Sequence, residues 1–161
     1  MSARTDSLTL LPNRRHFFEL SEIEAHRSAR LRHPISLAYL DIDNFKKVND
    51  TLGHDAGDKL LKIIADALKQ NLRDYDIPSR LGGDEFVILL PESGEEQAKK
   101  TITKLQEKLN EIIKDNKWPV SLSIGVLTVK IPRFKITEMV KIADQLMYQV
   151  KKAGKNNAIY L

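Results

Sequence analysis

Gly82-Gly83-Asp84-Glu85-Phe86 lies between a strand-like run ending at Leu81 and the apolar run Val87-Ile88-Leu89-Leu90, and its reading decides the fold. Two glycines accept positive φ and leave room for close approach, so the segment reads as the tight turn of a β-hairpin. Its strands run roughly from Ile77 to Leu81 and from Phe86 to Leu90. Adjacent carboxylates in such a turn can hold a hard divalent cation or accept a proton.

Outward from the hairpin, Ile35 to Ile42 is a short, mostly apolar run that predicts a central strand, with Asp41 and Asp43 delivered at its C-terminal edge. Before it, Asp6 to Arg15 is turn-rich. Asn13 follows Pro12 and is placed to cap a helix running to about Arg32, which Pro34 stops. After it, Leu60, Leu61, Ile64, Ala65, Leu68 and Leu72 fall at helical spacing, with a break expected near Gly53 and Gly57. Ala98, Ile102, Leu105, Leu109, Ile112 and Ile113 mark a helix over Glu95 to Asp115. Pro119 to Val129 returns to strand. Met139, Val140, Ala143, Leu146, Met147 and Val150 mark a last helix ending at Gly154, and Asn156 to Leu161 adds an edge strand. Strands and helices interleaved about a hairpin argue for an α/β (α+β) fold with one mixed, largely antiparallel sheet flanked by helices.

The chain has 161 residues, 42% of them apolar, enough for the core of one domain spanning 1–161. Its 30% charged residues and net charge of +4 suit a phosphate-rich small ligand. No basic tail or arginine-rich block points to a nucleic acid polymer. Cysteine is absent, which excludes disulfides and thiolate metal sites and is compatible with a reducing cytoplasm. The apolar runs are too short for a membrane span, so no membrane contact is expected of this chain.

Asp41 at a strand end and Asp84 in the hairpin turn would converge on one cation if their strands are neighbours. Magnesium favours one or two carboxylates plus substrate phosphates. The competing reading makes Asp41 and Asp43 caps of the next helix. Asn44-Phe45-Lys46 enters that helix and can offer backbone N–H groups to phosphate oxygens, with Lys46 as a point charge. Read alone, Asn49 would end a helix, Asp58 would start one, and Arg73 with Asp76 would be a helix-terminal ion pair.

Taken together, Leu40-Asp41-Ile42-Asp43-Asn44-Phe45-Lys46, Asn49, Gly53-His54-Asp55-Ala56-Gly57-Asp58, Arg73-Asp74-Tyr75-Asp76 and the glycine turn resemble the GGDEF family, the bacterial diguanylate cyclases. The resemblance covers the chain from about residue 6. It implies a palm-like βαββαβ core and condensation of two GTP into cyclic di-GMP with release of two pyrophosphates. It implies Mg2+ or Mn2+ on Asp41, the Ile42 carbonyl and Asp84, with Glu85 as a further ligand or as the base for the sugar hydroxyl. Asp43 would supply supporting geometry and His54 a structural role. Asn49 and Asp58 match the guanine-reading pair.

By the same resemblance, Lys151 and Lys155 match a phosphate-binding basic pair, with lysine at 155 where arginine is common. Arg73 and Asp76 match an inhibitory product site to which the family often adds an arginine, here near Lys104. Leu10 stands where glycine is usual, with an effect expected to be local. One domain would hold one GTP, so catalysis would need an antiparallel homodimer. The chain reads as the catalytic piece of a longer signalling protein, with any membrane anchor of the parent left open. The alternative from another class is an inactive module serving as a cyclic di-GMP or GTP receptor. A polymerase-like or adenylate cyclase palm is a third reading.

Overall fold

Strand β1 (Ile35–Asp43) is apolar on both faces over most of its length, a pattern that demands cover on each side. The structure, a computed structural model, describes residues 3–130 and 135–161. It gives β1 that cover by placing it mid-sheet. Helix α1 (Arg14–Leu31) precedes it. Next come α2 (Phe45–Leu52), α3 (His54–Asn71), the hairpin β2 (Ile77–Gly82) and β3 (Glu85–Pro91), α4 (Glu95–Asp115), β4 (Ser121–Val129), α5 (Ile136–Lys152) and β5 (Asn157–Tyr160). The sheet order is β2-β3-β1-β4-β5, with β1 antiparallel to both neighbours and β4 parallel to β5. This is the mixed, largely antiparallel α+β sheet that the sequence predicts.

The strand period of two divides the core. Leu40, Phe86 and Ile88 share one apolar cluster with Leu60 and Leu68 of α3 and Leu105 of α4. Leu37, Tyr39 and Val87 share the other with Phe17 of α1 and Met139 and Leu146 of α5. Asp41 and Asp43 follow Leu37 and Tyr39 in the same alternation, so they fall on the face covered by α1 and α5.

Several boundaries differ from the sequence reading. The chain breaks at Gly53, where φ is 92°, but Gly57 lies inside α3. A methyl group at Gly57 would overlap Asn49 Oδ1, so the glycine serves the contact between α2 and α3 and breaks no helix. Strand β4 begins at Ser121, two residues after Pro119, which has no N–H for the ladder. Helix α5 ends at Lys152, and Gly154 follows with φ of 118°. At mid-β4 a methyl on Gly125 would overlap the backbone of Ala143 and Met147, so α5 rests almost directly on the sheet.

Candidate active site

The hairpin turn is built by backbone geometry that its glycines permit. Gly82 and Gly83 have φ of 150° and 49°, and the β2/β3 register shifts between Arg80 and Gly82. Arg80 holds the turn, donating from Nε and Nη2 to the Gly83 carbonyl at 3.0 and 2.8 Å. Its Nη1 reaches the Asp6 carboxylate at 3.1 and 3.2 Å. Asp6 also accepts from the Thr9 N–H and hydroxyl, at 2.8 and 2.7 Å. Burial would raise its pKa, but these hydrogen bonds and Arg80 outweigh it and hold the carboxyl below its ordinary value. The N-terminal turn thus braces the acidic one, a link across 74 positions that no local spacing reports.

Two features bring Asp84 to Asp41. Asp41 pairs with Glu85 across the β1/β3 ladder, and the Ile42 N–H donates to the Asp84 carbonyl at 3.2 Å. Asp41 is half-buried, and its Oδ1 is buried with no hydrogen-bond partner. Burial, then the charge of Asp84, pushes the Asp41 carboxyl up to about 7, against the pull of Lys151. A carboxylate pair short of positive charge, with one oxygen orphaned, fits a hard divalent cation. Among the described residues, however, no three His, Cys, Asp or Glu side chains converge closely enough to hold an ion by themselves. Glu85 Oε2 accepts instead from the Tyr39 hydroxyl at 2.9 Å. Burial and this carboxylate both raise the pKa of Tyr39. Tyr39 is a site neighbour that sequence reading treats only as strand.

Asp43 is fully buried and saturated. It accepts from Ser121 Oγ at 2.6 Å, Ser123 Oγ at 2.7 Å, Lys151 Nζ at 2.8 Å and the Asn156 N–H at 3.2 Å. Those bonds overcome its burial and hold its pKa low. Such a group positions other residues and has no oxygen to spare for a metal, and it does not act as a helix cap. Lys151 Nζ also lies 3.6 Å from Asp41 Oδ2. Burial alone would lower the pKa of this ammonium, but Asp43, Asp41 and Asp84 raise it.

Lys155 Nζ donates to Asn44 Oδ1 at 3.2 Å, joining the end of α5 to the start of α2. Asn44 takes the left-handed conformation at φ of 63°, which asparagine tolerates, and Phe45 and the exposed Lys46 open α2. Asn49 packs over Gly57, next in sequence to the exposed Asp58, so the structure puts both members of the expected guanine-reading pair where α2 meets α3. His54 is exposed at the first position of α3.

Arg73, Asp76 and Lys104 line one surface cavity of about 380 Å³. Within it, Arg73 and Asp76 are closed on each other. The guanidinium donates to Asp76 Oδ2 at 3.1 Å and Oδ1 at 2.8 Å, to Tyr75 Oη at 2.8 Å, to the Pro91 carbonyl at 3.1 Å and to Ser93 Oγ at 2.7 Å. The Asp76 side chain is 0% exposed. Leu10, for its part, sits at φ of 63° with its side chain in solvent.

Comparison with known proteins agrees with this fold. The chain matches the family described as "Diguanylate cyclase, GGDEF domain" over residues 3–157. It is 40% identical over 161 residues to the diguanylate cyclase DgcP of Pseudomonas aeruginosa, covering 96% of this chain and 23% of that protein. It is 38% identical over 159 residues to the cyclic di-GMP phosphodiesterase NbdA of the same species, covering 97% of this chain and 20% of that one. The chain spans between 20% and 42% of the length of five curated relatives that it matches. In structure it is similar to the GGDEF domain of DgcB from Caulobacter crescentus in complex with c-di-GMP. The TM-score there is 0.88 at 25% identity, covering 99% of this chain and 96% of that one.

Proposed function

The chain belongs to the diguanylate cyclase GGDEF-domain family, and on that footing we propose that it condenses two GTP molecules into cyclic di-GMP, releasing two pyrophosphates. The observation that carries the reading is the orphaned, buried Oδ1 of Asp41 beside Asp84, an acid pair whose near cation, Lys151, reaches only the other Asp41 oxygen and is shared with Asp43. Asp41, the Ile42 carbonyl and Asp84, joined by Glu85, would hold Mg2+ or Mn2+. Bound there, the ion would offset the charge on the triphosphate and lower the pKa of the attacking hydroxyl.

The protein groups then divide the work. Glu85, with Oε2 held by the Tyr39 hydroxyl, offers Oε1 to the proton of the 3′ hydroxyl. Lys151, Lys155, Lys46 and the backbone amides entering α2 at Asn44 and Phe45 hold the departing pyrophosphate. Asn49 and Asp58 read the guanine edge, where an analogue lacking its donors would leave polar groups unpaired. One domain, residues 1–161, holds one GTP, so two copies meet antiparallel, each hydroxyl attacking the other nucleotide's α-phosphorus. Product returns to the cavity of Arg73, Asp76 and Lys104 as an inhibitor. The unit works in the cytoplasm as the catalytic piece of a longer signalling protein. Among the described residues no helix is long and apolar enough to cross a membrane.

A receptor that binds cyclic di-GMP or GTP without turnover is the competing reading. The absence of a tight three-carboxylate cluster among the described residues favours it. Incubation with GTP and Mg2+ decides between them, following pyrophosphate release and identifying the product by chromatography. Cyclic di-GMP from the wild type and none from Asp84→Ala supports the cyclase. No product, even from a forced dimer freed of bound nucleotide, overturns it in favour of the receptor.

A further inference from the structure

We infer that Lys151 is a built-in occupant of the acid site, a cation that stands against Asp41 until a metal ion arrives and then turns to the nucleotide's phosphates. The inference rests on the metal reading above and adds a coupling to it. Lys151 Nζ is 2.8 Å from Asp43 Oδ1 and 3.6 Å from Asp41 Oδ2, on a side chain only 22% exposed. Asp43 cannot serve a metal, since two hydroxyls, one peptide N–H and this ammonium fill it. Asp43 therefore acts as the anchor that keeps the ammonium within reach of Asp41. The anchor is rigid, because Ser121 and Ser123 come from β4 and Asn156 from the turn after α5.

An ion settling on Asp41 and Asp84 meets this ammonium at close range. Two cations cannot share one half-buried carboxylate without strong repulsion, so the ion must push Lys151 aside. The ammonium turned from Asp41 keeps only Asp43, and a triphosphate supplies a second anionic partner in place of the lost one. The metal alone should bind weakly, and metal and nucleotide should bind together. Coupling of this kind is reciprocal: each ligand raises the affinity for the other by the same factor.

The test titrates Mn2+ into nucleotide-free protein, with free Mn2+ read by electron paramagnetic resonance. Lys151→Gln keeps a donor for Asp43 and loses the charge, and Lys151→Met loses both. Thermal melting of each variant confirms folding, so one folded variant suffices. Either should bind Mn2+ more tightly than wild type by roughly fivefold or more, at the lower end of ordinary coupling between sites. Lys155→Gln, which removes a charge from the same end of the molecule, should leave Mn2+ affinity within about twofold of wild type by comparison. Unchanged or weaker Mn2+ binding in the Lys151 variants overturns the inference and leaves the cyclase reading standing. So does equal tightening in Lys155→Gln, which would reduce the effect to net charge. Asp84→Ala should lose the Mn2+ binding. If Mn2+ binding survives in Asp84→Ala, or is absent from every variant, the metal site itself falls and the inference with it.

Discussion

Removing the Arg73 side chain as Arg73→Ala should weaken the fold, and the size of the loss separates two accounts of one ion pair. Arg73 is 31% exposed and its partner Asp76 is 0% exposed at the side chain. An exposed pair contributes at most about 1 kcal/mol. Deleting one partner of a buried pair costs about 3–5 kcal/mol, because the other charge is left stranded. Asp76 would retain the Arg73 peptide N–H, which donates to it at 2.8 Å, and the guanidinium has a solvated edge. The loss should therefore sit somewhat below the buried limit, at about 2–4 kcal/mol. The Pro91 carbonyl and Ser93 hydroxyl lose a donor as well. For a chain of this length that is a fall in Tm of about 5–15 °C. Calorimetry and urea unfolding of nucleotide-free protein measure it. A double variant, Arg73→Ala with Asp76→Asn, should lose less than Arg73→Ala alone, since the stranded charge is gone. A single-variant Tm within about 2 °C of wild type would refute the argument and class the pair with solvated surface ions.

Gly57→Ala should raise KM for GTP while changing stability little, because the new methyl displaces the flexible Asn49 amide; steady-state kinetics with melting curves check both. Gly125→Ala meets backbone on α5 and should destabilise by about 1–3 kcal/mol or more in urea unfolding. Asp6→Asn should lower Tm near neutral pH. Because the folded pKa lies below the ordinary 3.8, the carboxylate's contribution is complete above that value and lost as pH falls through the folded one. The variant and wild-type curves should then converge in strong acid. Glu85→Ala should abolish turnover with an unchanged circular dichroism spectrum, and normal turnover would remove Glu85 from the chemistry.

Periodicity made the elements legible. Helix α4 occupies Glu95–Asp115 as its apolar spacing predicts, and Asp41 and Asp43 end a central strand because the apolar run before them needs cover on both sides. Spacing reports on neighbours along the chain, and the contacts it missed are those set by strand register. Tyr39 reaches Glu85 across 46 positions and Lys151 reaches Asp43 across 108. Neither could be assigned before β1 was paired with β3 and packed under α5. Gly57 was misread for a related reason: a glycine is a breaker by propensity, but here its missing side chain makes room for one from another helix.

The register of β1 also decides how the acid site opens. Asp41 opposes Glu85 on one side and Ser123 on the other, in the ladders that hold Leu40 and Ile42 in the core. A slip of one residue would turn Asp41 toward α3 and α4 and expel those apolar side chains from their cluster. Amide hydrogens flanking Asp41 should then exchange with solvent only through unfolding of the whole sheet, whereas those of the Gly82-Gly83 turn can exchange by local opening. Of the two carboxylates that would share an ion, Asp41 is fixed by the central strand, whereas Asp84 rides on a turn whose hold is the Arg80 side chain.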